Sequence, residues 1–171
     1  ADNTAKTIAA AVNAQAANTG VTATASNSVA LASVSVAGTV SFNLYGSNSA
    51  AVAISANVAS ATDLTALSDA VNAASASTGV SATLSSDMAS ITFSNTDGSN
   101  IAIENYGNTG AASATVAVGG VTLTESAADS IVVGGAVTFT ASTNFAVSTD
   151  TGTTVLSAAT VASTLSSVGS M

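Results

Sequence analysis

The sequence predicts an α+β protein made of repeated modules, each a helix packed on a small, mostly antiparallel sheet, followed by a β-rich segment. Two observations predict this fold. A 14-residue pattern occurs twice at a constant offset of 59 residues, and after each copy the apolar period changes from that of a helix to that of a strand. The predicted boundaries are residues 1–59 and 60–108 for the two modules and residues 109–171 for the β-rich segment, packed as one domain or two.

The two copies of the pattern are nearly the same in sequence. Residues 11–24 read AVNAQAANTGVTAT and residues 70–83 read AVNAASASTGVSAT, with ten of the fourteen positions identical. An alanine-rich composition increases chance matches, but the shared Val-Asn, Thr-Gly-Val and Ala-Thr steps do not come from alanine alone. The repeat therefore predicts two copies of one local structure.

Each copy predicts a helix with one apolar face. The apolar positions of the two helices correspond one to one: Ala5, Ile8 and Val12 in the first, and Leu64, Leu67 and Val71 in the second. Ser60, three residues before Asp63, is a variant of the capping box that opens a helix. Gly20 and Gly79 are expected to end the two helices, because glycine adopts the left-handed conformation common at helix C-termini.

Alternating apolar and polar residues after each glycine predict strands with one buried face, at residues 21–26 and 80–85. Further strands are predicted at residues 31–37, 40–44, 51–56, 89–93 and 101–103. In the last third, a Gly-Gly pair divides each of the runs 116–124 and 131–140, which predicts two hairpin turns. Residues 145–147 predict another short strand, and residues 158–165 a short helix or an irregular segment.

The composition excludes most classes of enzyme. The chain has no His and no Cys, so it cannot assemble a Ser/His/Asp triad, a cysteine nucleophile or a zinc site of the usual ligands. Lys6 is the only basic residue; a Ser–Lys dyad is conceivable, but a solvated helix lysine is the favoured interpretation. We therefore expect no enzymatic activity, no catalytic, cofactor-binding or metal site, and no cofactor.

Charge and hydropathy exclude two classes of partner. The net charge of −8 repels nucleic acid and anionic membranes. Polar residues interrupt every apolar run before the roughly 18–20 residues that a membrane-spanning helix needs. No secretory signal is recognisable at Ala1, and we expect the sequence to be an excised fragment of a longer protein.

Residues 95–100 form the best candidate for a metal site. Asp97, Gly98 and the neighbouring oxygen-bearing side chains are typical of a calcium loop, but Phe93 occupies the position of the first EF-hand aspartate and no glutamate closes the loop. An Asp-Gly turn between two strands is the favoured interpretation.

Carboxylates and tyrosines supply the remaining candidates. Glu104 could pair with Asp87 or Asp97 for acid–base work, but nine scattered acids can be paired in many ways, so solvated carboxylates are favoured. Tyr45-Gly46 and Tyr106-Gly107 are each predicted to follow a strand, where the tyrosine either faces a ligand or caps a thin core, the second being commoner.

The duplicated pattern, with four variable positions between Ala-Val-Asn-Ala and Thr-Gly-Val, resembles the IN motif of bacterial flagellins. Residues 90–105, SITFSNTDGSNIAIEN, look like the strand–turn–strand that follows this motif. Residues 41–48 and 163–168 are also similar to flagellin sequence. The resemblance extends over most of the chain, and the duplication favours flagellin over related flagellar proteins.

This resemblance implies a structural outer domain of the flagellar filament subunit, of the D2/D3 type, with two IN-like motifs. It implies an extracellular location, exposure as a surface antigen, a part in the motility apparatus, and possible O-glycans on Ser or Thr. Flagellins assemble with other flagellin subunits through long helical segments, which this sequence lacks, so the fragment alone is expected to be monomeric. The alternatives are a domain of a filament cap or hook-associated protein, which share the motif, or a bacterial adhesin module.

Overall fold

The computed structural model of the chain describes residues 4–147 and 161–162. Strands dominate these residues, and the four helices are short. The helices are α1 (Ala5–Ala14), α2 (Ala16–Thr19), α3 (Thr65–Ala73) and α4 (Ser75–Thr78). The strands are β1 (Val21–Ala32), β2 (Gly38–Tyr45), β3 (Val52–Val58), β4 (Ser81–Leu84), β5 (Ser90–Asn95), β6 (Ile101–Asn108), β7 (Thr115–Val118), β8 (Val121–Thr124), β9 (Ile131–Val133), β10 (Ala136–Ala141), β11 (Ala146–Val147) and β12 (Val161–Ala162).

The strands form two large antiparallel sheets and one small one. The larger sheet has the order β4-β5-β1-β7-β8, and β10 also pairs with β1. The second has the order β3-β2-β6-β9, and β11 pairs with β12 alone. β1 is central to the larger sheet because its first half, Val21 to Ser26, pairs with β10, while its second half, from Asn27 to Ala32, pairs with β5.

The predicted fold of repeated helix-on-sheet modules is wrong, because neither helix has a sheet of its own. β1, which follows the first helix, pairs with β5, β7 and β10, which come from later parts of the chain. β2 likewise pairs with both β3 and β6. Periodicity predicts which face of a strand is buried, but it contains no information about the partner strand. The protein is therefore mostly β, with short helices packed against shared sheets.

The apolar core is formed by both large sheets together with one face of α3. Leu64, Leu67 and Val71 are completely buried, which confirms the apolar face predicted for the second helix. Each large sheet contributes alternate residues to the same core, among them Phe42, Leu44, Ile54, Ile91, Phe93, Ile101 and Val116. Val, Leu and Ile make up most of this core.

Both predicted helix ends are confirmed. Gly20 and Gly79 have φ angles of 70° and 69°, and each donates its N–H back to the preceding turn, to the carbonyls of Ala16 and Ser75. The helices are interrupted once before these ends, at Gln15 and Ala74. The predicted capping box is not formed: Ser60 and Asp63 make an isolated bridge, and Asp63 Oδ1 accepts a hydrogen bond from the N–H of Thr65.

The shared asparagine of the repeat has a structural role. Asn72 Nδ2 donates to the carbonyl of Ala82 at 2.9 Å, and Asn72 Oδ1 accepts from the N–H of Ala82 at 2.8 Å. Asn13 makes the same two bonds with Ala23, at 2.8 and 2.7 Å. One amide thus satisfies both backbone groups of a strand residue and fixes each helix on the strand that follows it.

Two strand predictions need correction. The separate strand predicted at residues 31–37 is wrong: residues 31 and 32 are the end of β1, and the next residue, Ser33, leaves the extended conformation with a φ of 55°. Gly119-Gly120 forms the predicted hairpin turn between β7 and β8, whereas Gly134-Gly135 joins β9 and β10, which pair with different strands. The prediction for residues 158–165 lies outside the described residues apart from β12.

We predict unequal effects of alanine at the two helix-ending glycines. Both substitutions place a side chain at positive φ, which costs about 1–2 kcal/mol. A Cβ at Gly20 meets nothing within 4 Å, whereas one at Gly79 lies 2.5 Å from Ser47 Oγ. Gly79→Ala should therefore lower the free energy of unfolding by about 2–3 kcal/mol and Gly20→Ala by about 1 kcal/mol, measured by urea denaturation. Equal losses would show that the contact with Ser47 costs nothing.

Candidate functional site

The turn between β5 and β6 is hydrogen-bonded to two parts of the chain that are distant in sequence. Asp97 Oδ2 accepts hydrogen bonds from Lys6 Nζ at 2.7 Å and from Ser47 Oγ at 2.8 Å, while its Oδ1 accepts from the N–H of Ser99 at 2.8 Å. The carbonyl of Gly98 accepts from the N–H of Lys6 at 3.2 Å. The turn therefore joins the first helix, the loop after β2 and the start of β6.

Two glycines allow the turn, β1 and the β9–β10 connection to approach one another closely. A Cβ built on Gly98 would overlap the side chain of Ala25 in β1. A Cβ on Gly135 would lie 2.8 Å from the carbonyl oxygen of Ser26, 2.9 Å from that of Gly98 and 3.0 Å from the Cβ of Ala5. Because none of these contacts can accommodate a side chain, glycine at 98 and 135 lets the backbones of β1, the turn and the β9–β10 connection meet.

Asn95 extends the network into the core. Its side chain is buried, and its Nδ2 donates to Ser47 Oγ at 3.0 Å and to the carbonyl of Gly79 at 3.1 Å. Its Oδ1 accepts from the N–H of Asp97 at 3.0 Å. These bonds satisfy a buried amide and hold the end of the second helix against the turn.

Asn27 connects the same region to β1. It is 4% exposed and lies at the residue where β1 exchanges β10 for β5 as its partner. Its Nδ2 donates to the carbonyl of Ser99 at 3.0 Å and to that of Val133 at 2.8 Å. Asn27 is not among the candidates predicted from the sequence, because the predicted strand ended at residue 26, whereas β1 continues to Ala32.

The carboxyl group of Asp97 has a lowered pKa. Partial burial acts to raise it, but the hydrogen bonds from Lys6, Ser99 and Ser47 together outweigh burial and hold the pKa well below its usual range. Lys6 and Ser47 both bind this carboxylate, so Ser47 Oγ is bonded to an acid and does not form the dyad considered for Lys6. These bonds stabilise the turn.

The candidate metal loop is this same turn. Its oxygen and nitrogen groups bond to one another and to Lys6, as an Asp-Gly turn with Gly98 at a φ of 78°. Within residues 4–147 and 161–162, no three acidic side chains lie close enough together to hold a metal ion. Residues 95–100 therefore have the geometry of an Asp-Gly turn between two strands.

The acids proposed for acid–base work lie on separate elements. Asp87 is in the turn between β4 and β5, where it accepts from Ser85 Oγ at 2.5 Å and from the N–H of Ala89 at 3.1 Å. Glu104 lies inside β6, opposite Asn43. It interacts with Tyr45, whose phenol pKa is raised by desolvation and then by Glu104. Tyr45 ends β2 as predicted, whereas Tyr106-Gly107 lies within β6.

Tyr106 and Glu125 form the second polar feature of interest. Tyr106 is 2% exposed. Among the described residues, neither its Oη nor the buried Glu125 Oε2 has a hydrogen-bond partner. Burial raises the pKa of the Tyr106 phenol; the neighbouring Asn108 opposes this rise and the negative charge of Glu125 adds to it. Tyr106 was among the candidates predicted from the sequence, whereas Glu125, which follows β8, was not.

The strands that follow the two helices meet their partners in the same register. In the second copy, Ala82 pairs with Phe93 and Thr83 with Thr92. In the first copy, Ala23 pairs with Phe139 and Thr24 with Thr138. The partner strands are alike, ITFS at residues 91–94 and VTFT at 137–140. β10 therefore pairs with β1 in the way that β5 pairs with β4. More than a hundred residues separate β1 from β10.

Comparison with known families relates the chain to flagellar proteins. Residues 39–97, from β2 to the turn at Asp97, match the family model described as the flagellin hook IN motif. The match covers the second copy of the repeat together with the hairpin of β2 and β3 that precedes it. No curated protein matches the chain.

Among the described residues, no helix has the length and apolar character required to cross a membrane.

We predict that the Asp97 network stabilises the fold in a pH-dependent way. Because the folded pKa is below the unfolded value of about 3.9, its contribution is present above pH ~4 and disappears as the pH falls toward the folded pKa. Asp97→Asn should lower the free energy of unfolding by about 1 kcal/mol at pH 7, since a partly exposed ion pair is screened. The difference from the unmodified chain should shrink in urea denaturation at pH ~2.5.

The control is Asp69→Asn, on the exposed side of α3, which should change stability by less than ~0.5 kcal/mol at either pH. A difference between Asp97→Asn and the unmodified chain that stays constant with pH would contradict the prediction.

We predict that Tyr106→Phe stabilises the protein. The hydroxyl is buried without a partner, so removing it should raise the free energy of unfolding by about 1 kcal/mol. Tyr45→Phe, at a less buried position, should stay within ~0.5 kcal/mol of the unmodified chain. Thermal unfolding of the three proteins gives the comparison. A loss of stability in Tyr106→Phe would show that the hydroxyl is bound in solution, by Asn108, by Glu125 or by water.

Proposed function

We propose that the chain is a structural, non-enzymatic outer domain of the flagellar filament subunit, of the D2/D3 type, exposed at the filament surface and antigenic. The observation that carries this proposal is the match of residues 39–97 to the flagellin hook IN motif. A composition without His or Cys and with one basic residue supports a structural role, because it lacks the groups from which most catalytic sites are built.

We also propose that the chain contains a second IN motif, divided in sequence. It would comprise α1, α2 and the first half of β1, completed by β10. The identical amide bonds of Asn13 and Asn72, the two glycine-ended helices and the equal strand registers support it. In this arrangement the matched motif is inserted between the two parts of the other.

The partners follow from the flagellar assignment. The domain joins other flagellin subunits through helical segments outside this sequence, and it is monomeric when isolated. Its location is the extracellular filament, as part of the motility apparatus, where its Ser and Thr residues are available for O-glycans. The described parts of the segments 1–59, 60–108 and 109–171 fold as a single cooperative unit, which is supported by the pairing of β1 with strands from the second and third segments.

A hook-associated or filament cap protein is the second candidate. The description of the matched model itself names the hook, and the motif alone does not distinguish the two positions in the flagellum. The duplicated pattern favours the filament subunit.

Immunogold electron microscopy of the source cells, with antibody raised against this chain, tests the proposal. We expect gold along the whole length of intact filaments, because an outer domain is accessible on every subunit. Gold confined to the filament tip or to the hook junction would favour the second candidate. Label on the cell body with bare filaments would contradict both and favour an adhesin. Preimmune serum and cells stripped of flagella by shearing are the controls.

A further inference from the structure

The two helices of the repeat are covered to different extents. α3 packs between β3 and β4, so that strands lie on two sides of it. α1 packs on β1, the counterpart of β4, and on β10, but among the described residues it has no counterpart of β3. One side of the first helix therefore lacks the strand that covers the second.

The residues on that side are correspondingly exposed. In the second copy, Leu67, Val71, Ile91 and Phe93 are completely buried. Their counterparts in the first copy are all only partly buried, although they are apolar in every case: Ile8, Val12, Val137 and Phe139. We call these four residues the hairpin face. The four residues lie on α1 and β10, which pack against each other, and their partial exposure indicates a surface that the described residues leave incomplete.

The ring contacts of Phe93 and of its counterpart Phe139 come from different parts of the fold. The Phe93 ring lies 6.4 Å from that of Phe42, which belongs to β2. Phe139 is the counterpart of Phe93, and its ring lies 6.4 Å from that of Phe145, which follows β10. The described residues supply no counterpart of β2 for the first copy, so the ring contact of Phe139 comes from a residue after β10 and not from a strand that precedes the helix.

β11, the strand after β10, also has fewer partner strands among the described residues than its counterpart β6. β6 pairs with β9 through Ala102–Val132 and Ile103–Ile131, and with β2 through Tyr45–Ala102 and Leu44–Ile103. β11, which follows β10 as β6 follows β5, pairs with β12 through Ala146–Ala162 and Val147–Val161. Among the described residues β11 has no second partner strand corresponding to β2.

We propose that the hairpin face binds a β-hairpin of the same pattern as β2 and β3, carried by the flagellar polypeptide ahead of α1. Residues 38–58, which form that hairpin in the second copy, contain no charged residue, and the hairpin face is uncharged as well. The docked hairpin would bury Ile8, Val12 and Phe139 as β2 and β3 cover α3 and Phe93. The inference rests on the proposed second motif.

A second copy of this chain fits the face less well than a hairpin of the same polypeptide. Each copy has a net charge of −8, which opposes association. The β2–β3 hairpin of another copy is already part of that copy's own core, since Phe42, Leu44, Ile54 and Val58 are buried there. A hairpin in the same polypeptide also has a high effective concentration.

Cysteine labelling tests the proposal, because the chain has no cysteine of its own. Single cysteines are introduced as Ile8→Cys and Phe139→Cys on the hairpin face. The matched control is Thr138→Cys, the neighbour of Phe139 on the exposed side of β10, and Leu67→Cys reports the rate for a buried position. Each variant is made in the chain itself and in an extended chain, in which a duplicate of residues 38–62 is joined directly to Thr4. This junction reproduces the spacing between β3 and α3.

We expect Ile8→Cys and Phe139→Cys to react rapidly with a thiol reagent in the chain itself and about tenfold more slowly in the extended chain. Thr138→Cys should react at the same rate in both. The substitution Ile54→Asp within the duplicate should restore the rapid reaction. This result would show that the protection comes from docking of the hairpin and not from a nonspecific effect of the extension. Circular dichroism establishes that each variant is folded.

Three results would overturn the proposal. Equal rates in the two chains would show that the face does not accept such a hairpin. Rates as slow as that of Leu67→Cys in the chain itself would show that the face is already covered. Protection that disappears on dilution, together with a dimer in analytical ultracentrifugation, would assign the face to a second copy. Labelling of the purified protein does not depend on its place in the cell, so its result stands apart from the immunogold result.

Discussion

The structure depends on a change of partner within one strand. β1 pairs with β10 up to Ser26 and with β5 from Asn27 onward, so one continuous backbone supports the first helix at one end and the main core at the other. The side chain of Asn27 lies at this point and holds the carbonyls of Ser99 and Val133. Because a buried amide without partners is costly, these two bonds fix the β5–β6 turn and the approach to β10 relative to β1. The Asp97 turn adds Lys6 and Ser47 to the same junction.

The features that the sequence predicted correctly are local ones. Leu64, Leu67 and Val71 define a helix face, and Gly20 and Gly79 end the helices, because both depend on the few residues around them. The partners of β1 could not be predicted in the same way, since alternation describes the faces of a strand and not its neighbours. The likeness of residues 137–140 to residues 91–94 was a usable signal for the role of β10. It is hard to use from sequence alone because more than a hundred residues separate β1 from β10.

The polar site shows the same limit. Asp97 and Tyr106 were identified as notable from their local sequence, as part of an Asp-Gly turn and of a Tyr-Gly step. Their actual neighbours are Lys6 for Asp97, 91 residues away in the sequence, and Glu125 for Tyr106, in the turn after β8. With nine acids scattered along the chain, the sequence offered many possible pairs and no means of choosing among them. Only the fold brings these groups together.

Smaller residues do not fully explain why α1 is less buried than α3. Ala5 replaces Leu64, and this position has to be small, since a Cβ on Gly135 would already lie 3.0 Å from Ala5 Cβ. Ile8 and Val12 are under no such restriction and are as large as the residues that α3 buries completely, yet they remain partly exposed. Their partial exposure therefore follows from the lack, among the described residues, of a strand that covers α1 as β3 covers α3. The proposed hairpin, in the position of β2 and β3, would take that place.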